Sequence, residues 1–181
     1  LNLNDSLSNI RGGAVSDWAF WGPYLELNGG VLDLNGNSQF FRRLESGSYL
    51  PGAATEGGTI TSVAPARVTF GQSGYFSGHV TGAITLDKVD TAQVAFTNTH
   101  TYTGNTIIRE GELILRDSAT LANTPQVDIN YARLDIDDGY LSYVMDRINP
   151  SAVINLRGAD FVNRGRAGIL TQQHLGTVNL L

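Results

Sequence analysis

Short runs of alternating apolar and polar residues recur along the chain, and turns rich in glycine, asparagine and serine separate them. Such alternation is typical of β-strands that bury one face. Few of the runs exceed five residues, and strands this short are stable only when they pack against other strands. The predicted strands span residues 24–27, 31–34, 59–63, 67–70, 80–86, 94–97, 106–108, 112–115, 127–130, 133–136, 153–156 and 177–180.

Comparable apolar strands return at a nearly constant interval in the second half of the chain. Leu113 and Leu134 lie 21 residues apart, and Leu134 and Leu156 lie 22 apart. Val178 follows Leu156 after a further 22 residues. A repeat of about 20 to 50 residues is typical of a solenoid, whose coils stack about 4.8 Å apart. The spacing therefore predicts an all-β solenoid of roughly eight coils, a rod about 40 Å long.

The whole chain, residues 1–181, is expected to form one such segment, since it has the length of a single ordinary domain. Residues 1–23 are predicted to form an N-terminal coil or cap, residues 24–138 repeat-like coils, and residues 139–181 further coils. Hydrophobic residues make up 41% of the sequence, enough for a continuous apolar core.

One segment, residues 138–148, departs from the strand pattern. Its apolar residues have helical spacing, Asp137 or Asp138 is available as a cap, and Pro150 follows. A short helix is one interpretation, and a loop that caps or decorates the rod is the other. The residues at this spacing are Tyr140, Leu141, Val144, Met145 and Ile148.

Asparagines at the predicted strand ends suit turns, because asparagine tolerates left-handed backbone. Stacked in successive coils, their side chains could also form hydrogen-bonded ladders. These residues are Asn28, Asn35, Asn37, Asn98, Asn105, Asn130 and Asn155.

Charge and cysteine content narrow the environment. The net charge is -5 and the longest basic run is Arg42–Arg43, which argues against nucleic acid and anionic membranes as partners. There is no cysteine, so no disulfide and no thiolate metal site is expected. This fits a cytosolic protein or a chain that crosses an oxidising periplasm. The sequence opens with Leu1 and shows neither a signal peptide nor an apolar membrane span, so we expect an internal or processed segment.

The most specific motif lies at residues 93–115. Val-Ala-Phe-Thr-Asn is followed by Tyr-Thr-Gly-Asn-Thr-Ile-Ile and then by Glu-Gly-Glu-Leu-Ile-Leu. This segment resembles the passenger-associated β-strand repeat of bacterial autotransporters. The matching positions are Tyr102, Gly104, Thr106, Gly111 and Leu113. His100, Asn105 and Glu112 replace the usual Asn, Gly and Thr, and residues 29–36, 76–78 and 127–137 resemble the flanking segments of the family.

The resemblance implies a right-handed parallel β-helix that passes through the periplasm and is carried to the cell surface by an outer-membrane barrel. It implies a non-catalytic stalk or adhesin scaffold that supports export and folding, at the bacterial surface or secreted. A host-surface protein or glycan would be its partner, without direct membrane insertion of this segment. Open coil ends would also permit self-association.

The motif also has a physical interpretation. Tyr102 and Gly104 are predicted to form a corner, with positive φ at Gly104. Ile107 and Leu113 are predicted to point into the coil, and Gly111 to permit a tight return.

Candidate catalytic groups are sparse. There is no Gly-x-Ser-x-Gly motif, and His79, His100 and His174 lie far apart in the sequence. Asp135 and Asp137 should share the outer side of one strand, and with Asp128 and Asp138 they form the densest acidic group. A solvated strand edge, catalysis and weak calcium binding are the three interpretations, but no calcium-loop motif is met. We expect no enzyme activity, metal or cofactor.

An aromatic cluster near the N-terminus is the remaining candidate contact surface: Trp18, Phe20, Trp21 and Tyr24. Exposed, it would contact sugar or protein, and buried, it would cap the coil. The alternative to a scaffold is a β-helix carbohydrate-active enzyme or a tailspike-like glycan-binding fragment. Such a protein should have a groove with two or three convergent acids and an arginine or lysine.

Overall fold

The computed structural model describes residues 24–46 and 57–181. These residues form short β-strands and no helix, hence no helix able to cross a bilayer. The strands are β1 (Tyr24–Glu26), β2 (Val31–Asp33), β3 (Gln39–Phe41), β4 (Arg43–Glu45), β5 (Thr59–Thr61), β6 (Ala66–Phe70), β7 (Gly74–Phe76), β8 (His79–Val80), β9 (Ile84–Lys88), β10 (Gln93–Phe96), β11 (Thr99–His100), β12 (Thr106–Ile108), β13 (Glu112–Arg116), β14 (Thr120–Leu121), β15 (Gln126–Asn130), β16 (Arg133–Asp137), β17 (Val153–Arg157), β18 (Asp160–Arg164) and β19 (Val178–Leu180).

These strands pair in parallel and stack mainly into three sheets. The long sheet holds β3, β6, β9, β12, β15, β17 and β19, and the middle sheet holds β7, β10, β13, β16 and β18. The short sheet holds β2, β5 and β8, and β11 and β14 continue it through a hydrogen bond from Thr101 N to Val80 O. From β5 to β16 the chain visits the short, long and middle sheets in turn, an arrangement consistent with a β-helix.

We call the stretch of chain between successive returns to one sheet a coil. In the middle sheet Val94 pairs with Leu113, and Leu113 pairs with Leu134, which confirms the predicted return from Leu113 to Leu134. The next coil is longer, because Leu134 pairs with Phe161. At about 4.8 Å per step, the seven strands of the long sheet reach a height of about 29 Å.

In most of the strands, alternate residues point into a shared apolar interior. Full burial of one aliphatic side chain contributes about 1.5 to 3 kcal/mol, and here the next coil supplies much of the cover. Inward columns therefore tie the coils together. In the long sheet the buried column is Val68, Leu86, Thr106, Val127 and Ile154, and in the middle sheet it includes Val94, Leu113 and Leu134.

The predicted repeat from Leu134 to Leu156 is wrong, because these residues lie in different sheets. Leu134 pairs with Phe161, whereas Leu156 pairs with Ile129 and Leu180. Strands of neighbouring sheets have the same alternation, so their pattern does not reveal the sheet to which each belongs. The single strand predicted at residues 80–86 is also wrong. Two strands, β8 and β9, lie there, because the chain turns between them.

Residues 138–148 form a loop and not the short helix that their apolar spacing favoured, so the interpretation as a loop is correct. Two backbone amide groups of this segment donate hydrogen bonds to residues outside it: Leu141 N to Asp117 Oδ1, and Asp146 N to Gln172 O. Asp146 also has a φ of 54°, which a right-handed helix does not allow. Partners in other coils therefore outweigh the local helical pattern.

Polar side chains form a ladder on the outer face of the long sheet. Asn179 Nδ2 donates to Asn155 Oδ1 at 2.8 Å, and Asn155 Nδ2 donates to Asp128 Oδ1 at 2.7 Å. The predicted asparagine ladder is thus present in part. Among the predicted asparagines in the described residues, Asn35 has positive φ, at 50°.

Candidate functional site

The repeat-like segment at residues 93–115 builds the corner between the short and long sheets. Tyr102 and Thr106 are buried there, and the Tyr102 hydroxyl group is hydrogen-bonded to Thr106 Oγ1. Thr106 Oγ1 is also bonded to Thr124 Oγ1 of the next coil at 3.2 Å, and Thr124 Oγ1 donates to Gly104 O at 3.0 Å. Burial raises the pKa of Tyr102, which stays neutral. The matching residues therefore form a buried polar network that joins two coils.

Close backbone contacts explain the two glycines of this motif. Gly111 has a φ of 65°, and a Cβ atom there would lie 2.4 Å from Ala92 O. The predicted positive φ at Gly104 is wrong, since Gly104 is not among the left-handed glycines. Glycine is required at Gly104 because a Cβ atom would lie 2.4 Å from Ile84 O.

One of the two inward positions predicted for the motif is wrong, by one residue. Leu113 points inward as predicted, but Ile107 lies on the outer face, where it pairs with Asp87 and Asp128. Thr106 and Ile108 are the buried residues of β12. The network around Tyr102 draws the threonine inward, and this fixes the alternation of the strand.

His100 is fully buried between aromatic rings. Its ring centroid lies 4.3 Å from that of Phe96 and 6.1 Å from that of Phe76. Its Nδ1 accepts a hydrogen bond from Val80 N at 3.1 Å, so the ring proton lies on Nε2. Burial, assisted by His79, lowers the pKa of His100 to about 3. His100 is therefore a neutral structural residue.

The other two histidines do not form a catalytic group with His100. His79 Nδ1 lies 2.8 Å from Thr99 O, on the neighbouring coil. His174 Nδ1 lies 2.9 Å from Asp146 Oδ1, in an exposed pair far along the chain. In the part of the chain that the structure describes, none of the three is hydrogen-bonded to a serine hydroxyl group.

Three members of the predicted acidic group, Asp135, Asp137 and Asp138, are buried, whereas a solvated strand edge was one of the expectations; Asp128 lies apart, partly exposed, in the long sheet. Asp135 points outward from the coil but is only 1% exposed, because Arg164 Nη2 lies 2.6 Å from Asp135 Oδ2. Arg164 Nη1 also lies 3.8 Å from Asp137 Oδ2. Burial raises the pKa of Asp135 to about 6 against the opposing effect of Arg164, and a hydrogen bond with Glu112 adds to the rise.

Asp138 and Arg147 form a fully buried ion pair. Arg147 Nε and Nη2 donate to Asp138 Oδ1 at 2.9 and 2.6 Å, and Arg147 Nη1 donates to Ala119 O at 2.8 Å. Val144 N donates to the same Asp138 oxygen at 3.3 Å. This pair holds the loop at residues 138–148 against the preceding coil.

Metal binding finds no support in these acids. Across residues 24–46 and 57–181, no group of three or more histidine, aspartate or glutamate side chains is placed to hold a metal ion. Asp135 and Asp138 instead face arginines, which compete directly with a cation for their oxygens.

A groove lies at the corner where the chain passes from the long to the middle sheet; we call it the corner groove. It is open, and its volume is about 380 Å³. Four of its residues begin successive strands of the middle sheet and are in register: Gln93, Glu112, Arg133 and Asp160. The full lining is Thr91, Gln93, Gly111, Glu112, Tyr131, Ala132, Arg133, Gly158 and Asp160.

Donors and acceptors alternate along this column. Gln93 Nε2 donates to Glu112 Oε2, Arg133 Nη1 lies 3.9 Å from Glu112 Oε1, and Arg133 Nη2 donates to Asp160 Oδ2 at 2.9 Å. Glu112 is largely buried, whereas the carboxylate of Asp160 is mostly exposed. The groove thus presents the carboxylate of Asp160 and the guanidinium group of Arg133 to solvent, and the largely buried carboxylate of Glu112 lies next to Arg133 in the same register.

Tyr131 forms one wall of the corner groove. It has a left-handed φ of 51°, which costs a non-glycine residue about 1 to 3 kcal/mol. Its side chain is 74% exposed, and its ring lies over Gly158, where a Cβ atom would be 2.8 Å from the ring carbon Cε1. Tyr131 thus combines a strained backbone with a ring that is mostly exposed.

Sequence reasoning missed this groove. Gln93, Glu112, Arg133 and Asp160 are distant and unevenly spaced in the sequence, so only the strand register shows that they are neighbours.

Most of the predicted aromatic cluster lies outside the described residues, namely Trp18, Phe20 and Trp21. Tyr24, in β1, is 44% exposed.

Comparison with protein-family models, curated proteins and solved structures finds no match to this chain. The geometry of the chain itself therefore carries the functional argument.

Proposed function

We propose that this chain is a non-catalytic segment of a bacterial autotransporter passenger, folded as a right-handed parallel β-helix, that serves as a stalk or adhesin scaffold. The supporting observation is the buried network in which Tyr102 and Thr106, two matching positions of the repeat-like motif, are linked to Thr124 of the next coil. The proposal places the chain at the bacterial surface, or secreted, after passage through the periplasm.

The placement of charge supports a scaffold role. Asp135 faces Arg164, and Asp138 faces Arg147, so the carboxylates of the acidic group bind the coils to each other. A catalytic acid needs access to substrate, and these two side chains are 1% and 0% exposed.

Export provides the test. The chain, joined to an outer-membrane barrel and produced in a Gram-negative bacterium, should reach the surface, where added protease degrades it. Gly111→Val, which obstructs stacking, should lower the surface amount but not total synthesis. Gly168→Ala is the control, since a Cβ atom there meets nothing within 4 Å. Retention of the unmodified chain inside the cell contradicts the proposal.

The corner groove favours the second candidate function, a carbohydrate-active enzyme or a tailspike-like glycan-binding fragment. Glu112, Asp160 and Arg133 converge there, which is the combination that such a protein requires. Release of reducing ends or unsaturated products from a polysaccharide panel distinguishes the two functions. The scaffold proposal predicts no product, whereas cleavage that is lost in Glu112→Gln supports the enzyme.

We propose that the chain self-associates through a coil end and that it binds a host-surface protein or glycan. Support for self-association comes from the exposed apolar side chain of Leu180, 82% exposed, in β19, an edge strand of the long sheet among the described residues. An unpaired strand edge with apolar side chains is a template for strand addition. Sedimentation should show association that grows with concentration, and a strict monomer contradicts it.

A further inference from the structure

We propose that the corner groove binds an uncharged sugar unit of a glycan, with Tyr131 as the stacking surface. This inference does not depend on the scaffold role; it deepens the second candidate function, which uses the same groove, by naming the class of sugar and the stacking residue. The same chain could carry such a site whether it is a surface stalk or another extracellular β-helix.

The conformation of Tyr131 is the first reason. Along the same corner the left-handed positions of other coils are occupied by Asp90, Gly111 and Gly158, with φ of 76°, 65° and 54°. Aspartate and glycine tolerate this backbone, whereas an aromatic residue is strained in it. Residues held in strained backbone are concentrated at ligand sites, since selection retains them for function.

The exposure of the ring is the second reason. Tyr131 gains little from burial, yet contact with Gly158 fixes the ring at the edge of the groove. A tyrosine ring offers an apolar face with a polar tip and loses few rotamers on binding. The carbon-bound hydrogens of a sugar ring match such a face, and its hydroxyl groups extend to the side.

The polar column is the third reason. The exposed Asp160 offers an acceptor, and Gln93 and Arg133 offer donors, on strands about 4.8 Å apart, while the Glu112 carboxylate beside them is largely buried. Their present bonds to one another fix their orientation. Adjacent hydroxyl groups of a sugar both donate and accept, so they can replace these bonds one for one.

The charge of the groove favours uncharged sugars over anionic ones. The column carries two carboxylates against one guanidinium group. An anionic ligand such as a uronate would therefore be repelled. The polar lining also disfavours an apolar ligand, which leaves an uncharged, hydroxyl-rich ring as the best fit.

The test is a titration of the isotope-labelled chain, followed by amide chemical shifts. The probes are neutral hexasaccharides of glucose, mannose, galactose and N-acetylglucosamine, with hexagalacturonate as the anionic probe, each to about 10 mM. We expect one neutral probe to shift the amides of residues 91–93, 111–112, 131–133 and 158–160 saturably, and hexagalacturonate to leave them unchanged.

Variants assign the effect to the groove. Tyr131→Asn removes the ring but keeps a residue that tolerates left-handed backbone, and should weaken binding about fivefold to tenfold. Tyr143→Asn, on the loop at residues 138–148, is the matched control and should bind as the unmodified chain does. Arg133→Ala provides a second test that leaves the corner backbone unaltered.

Three results would each overturn the proposal. The first is the absence of saturable shifts at the groove with every neutral probe. The second is tighter binding of hexagalacturonate than of any neutral sugar. The third is equal affinity of Tyr131→Asn, Arg133→Ala and Tyr143→Asn. None of these results bears on export, so the scaffold proposal is tested separately.

Discussion

The coils at residues 57–137 and the coil that includes residues 138–164 reach the same parallel pairing by different physical means. In the first region the coils are short, as between the paired residues Val94 and Leu113, and inward side chains are fully buried. Turns, backbone pairing and, at the corner between the short and long sheets, the uncharged network of Tyr102, Thr106 and Thr124 hold these coils together.

The second region contains extra residues between β16 and β17, and it holds them with charge. Asp138 and Arg147 are both fully buried, and the guanidinium group also donates to Ala119 O of the preceding coil. Several exposed apolar side chains of the loop, among them Leu141 and Met145, add little cover. Apolar alternation thus specifies most of the regular coils, whereas the buried ion pair of Asp138 and Arg147 holds this insertion.

Removal of one partner from this ion pair should have the largest effect. Arg147→Met leaves the carboxylate of Asp138 buried without its cation, which should lower the free energy of unfolding by about 3 to 5 kcal/mol. Urea denaturation measures the loss, and hydrogen exchange should locate it at residues 138–164.

Two comparisons sharpen this prediction. Arg43→Met removes an exposed partner of Glu45 and should cost at most about 1 kcal/mol. The double variant with Arg147→Met and Asp138→Leu should recover much of the loss, because it leaves no buried charge. Equal losses for Arg147→Met and Arg43→Met would show that the ion pair does not hold the loop.

A glycine in a regular coil should have the next largest effect. Gly111→Ala adds a Cβ atom 2.4 Å from Ala92 O and also strains a φ of 65°, so it should cost about 3 kcal/mol. Gly168→Ala strains a similar φ, 77°, in open space and should cost about 1 kcal/mol. Thermal melts compare the two, and an equal shift contradicts the role of close coil contact.

Acid should destabilise the regular coils through His100. Its pKa is about 3 in the folded chain and near 6.5 when unfolded, so the unfolded state binds more protons between these values. Stability should therefore fall by about 2 to 3 kcal/mol from pH 7 to pH 4 on account of this residue. Asp135 has the opposite effect on stability. Its pKa in the folded chain is raised to about 6, so the energetic cost of burying its charged carboxylate disappears on acidification.

The variant His100→Asn isolates the contribution of His100. Since Asp135 is present in both proteins, its effect cancels in the difference between their free energies of unfolding. That difference should shrink as the pH falls from 7 to 4. A difference that is independent of pH would show that His100 is not buried as described.

The smallest effect is expected at Tyr131. Tyr131→Asn relieves strain in left-handed backbone and removes a ring that is mostly exposed, so it should raise stability by about 0.5 to 1 kcal/mol. Urea denaturation measures the change. A loss greater than about 1 kcal/mol would mean that the ring stabilises the fold, and would weaken the argument for a binding role.

The alternation of apolar residues was sufficient to predict an all-β chain of stacked strands. The interval from Leu113 to Leu134 is confirmed because both coils there lack insertions. The sequence could not show that Leu134 and Leu156 lie in different sheets. The extra residues of the loop between them make their spacing resemble one coil, whereas Leu134 pairs with Phe161.

The candidate site was less accessible to sequence reasoning. Asp135 was correctly placed on the outer side of its strand, but its burial depends on Arg164, which the next coil supplies. The corner groove unites Glu112 with Asp160 across two coils of different length. Only the three-dimensional register brings such residues together, and no local pattern encodes it.

Cross-linking between coils tests the stacking most directly, because the chain contains no cysteine. Thr99 and Thr120 are paired in neighbouring parallel strands, about 4.8 Å apart, which is within the range of a disulfide. Asn123 lies beyond the end of β14 and is not paired with Thr99, since its side-chain Nδ2 donates to Thr101 O at 3.1 Å.

The account predicts that Thr99→Cys with Thr120→Cys forms an intramolecular disulfide on mild oxidation and migrates faster on a non-reducing gel. Thr99→Cys with Asn123→Cys should remain reduced under the same conditions. In an unfolded chain or a differently paired fold, the two loops are similar in length and should close equally well. Equal cross-linking of both pairs, or none in the first, would contradict the stacked-coil structure.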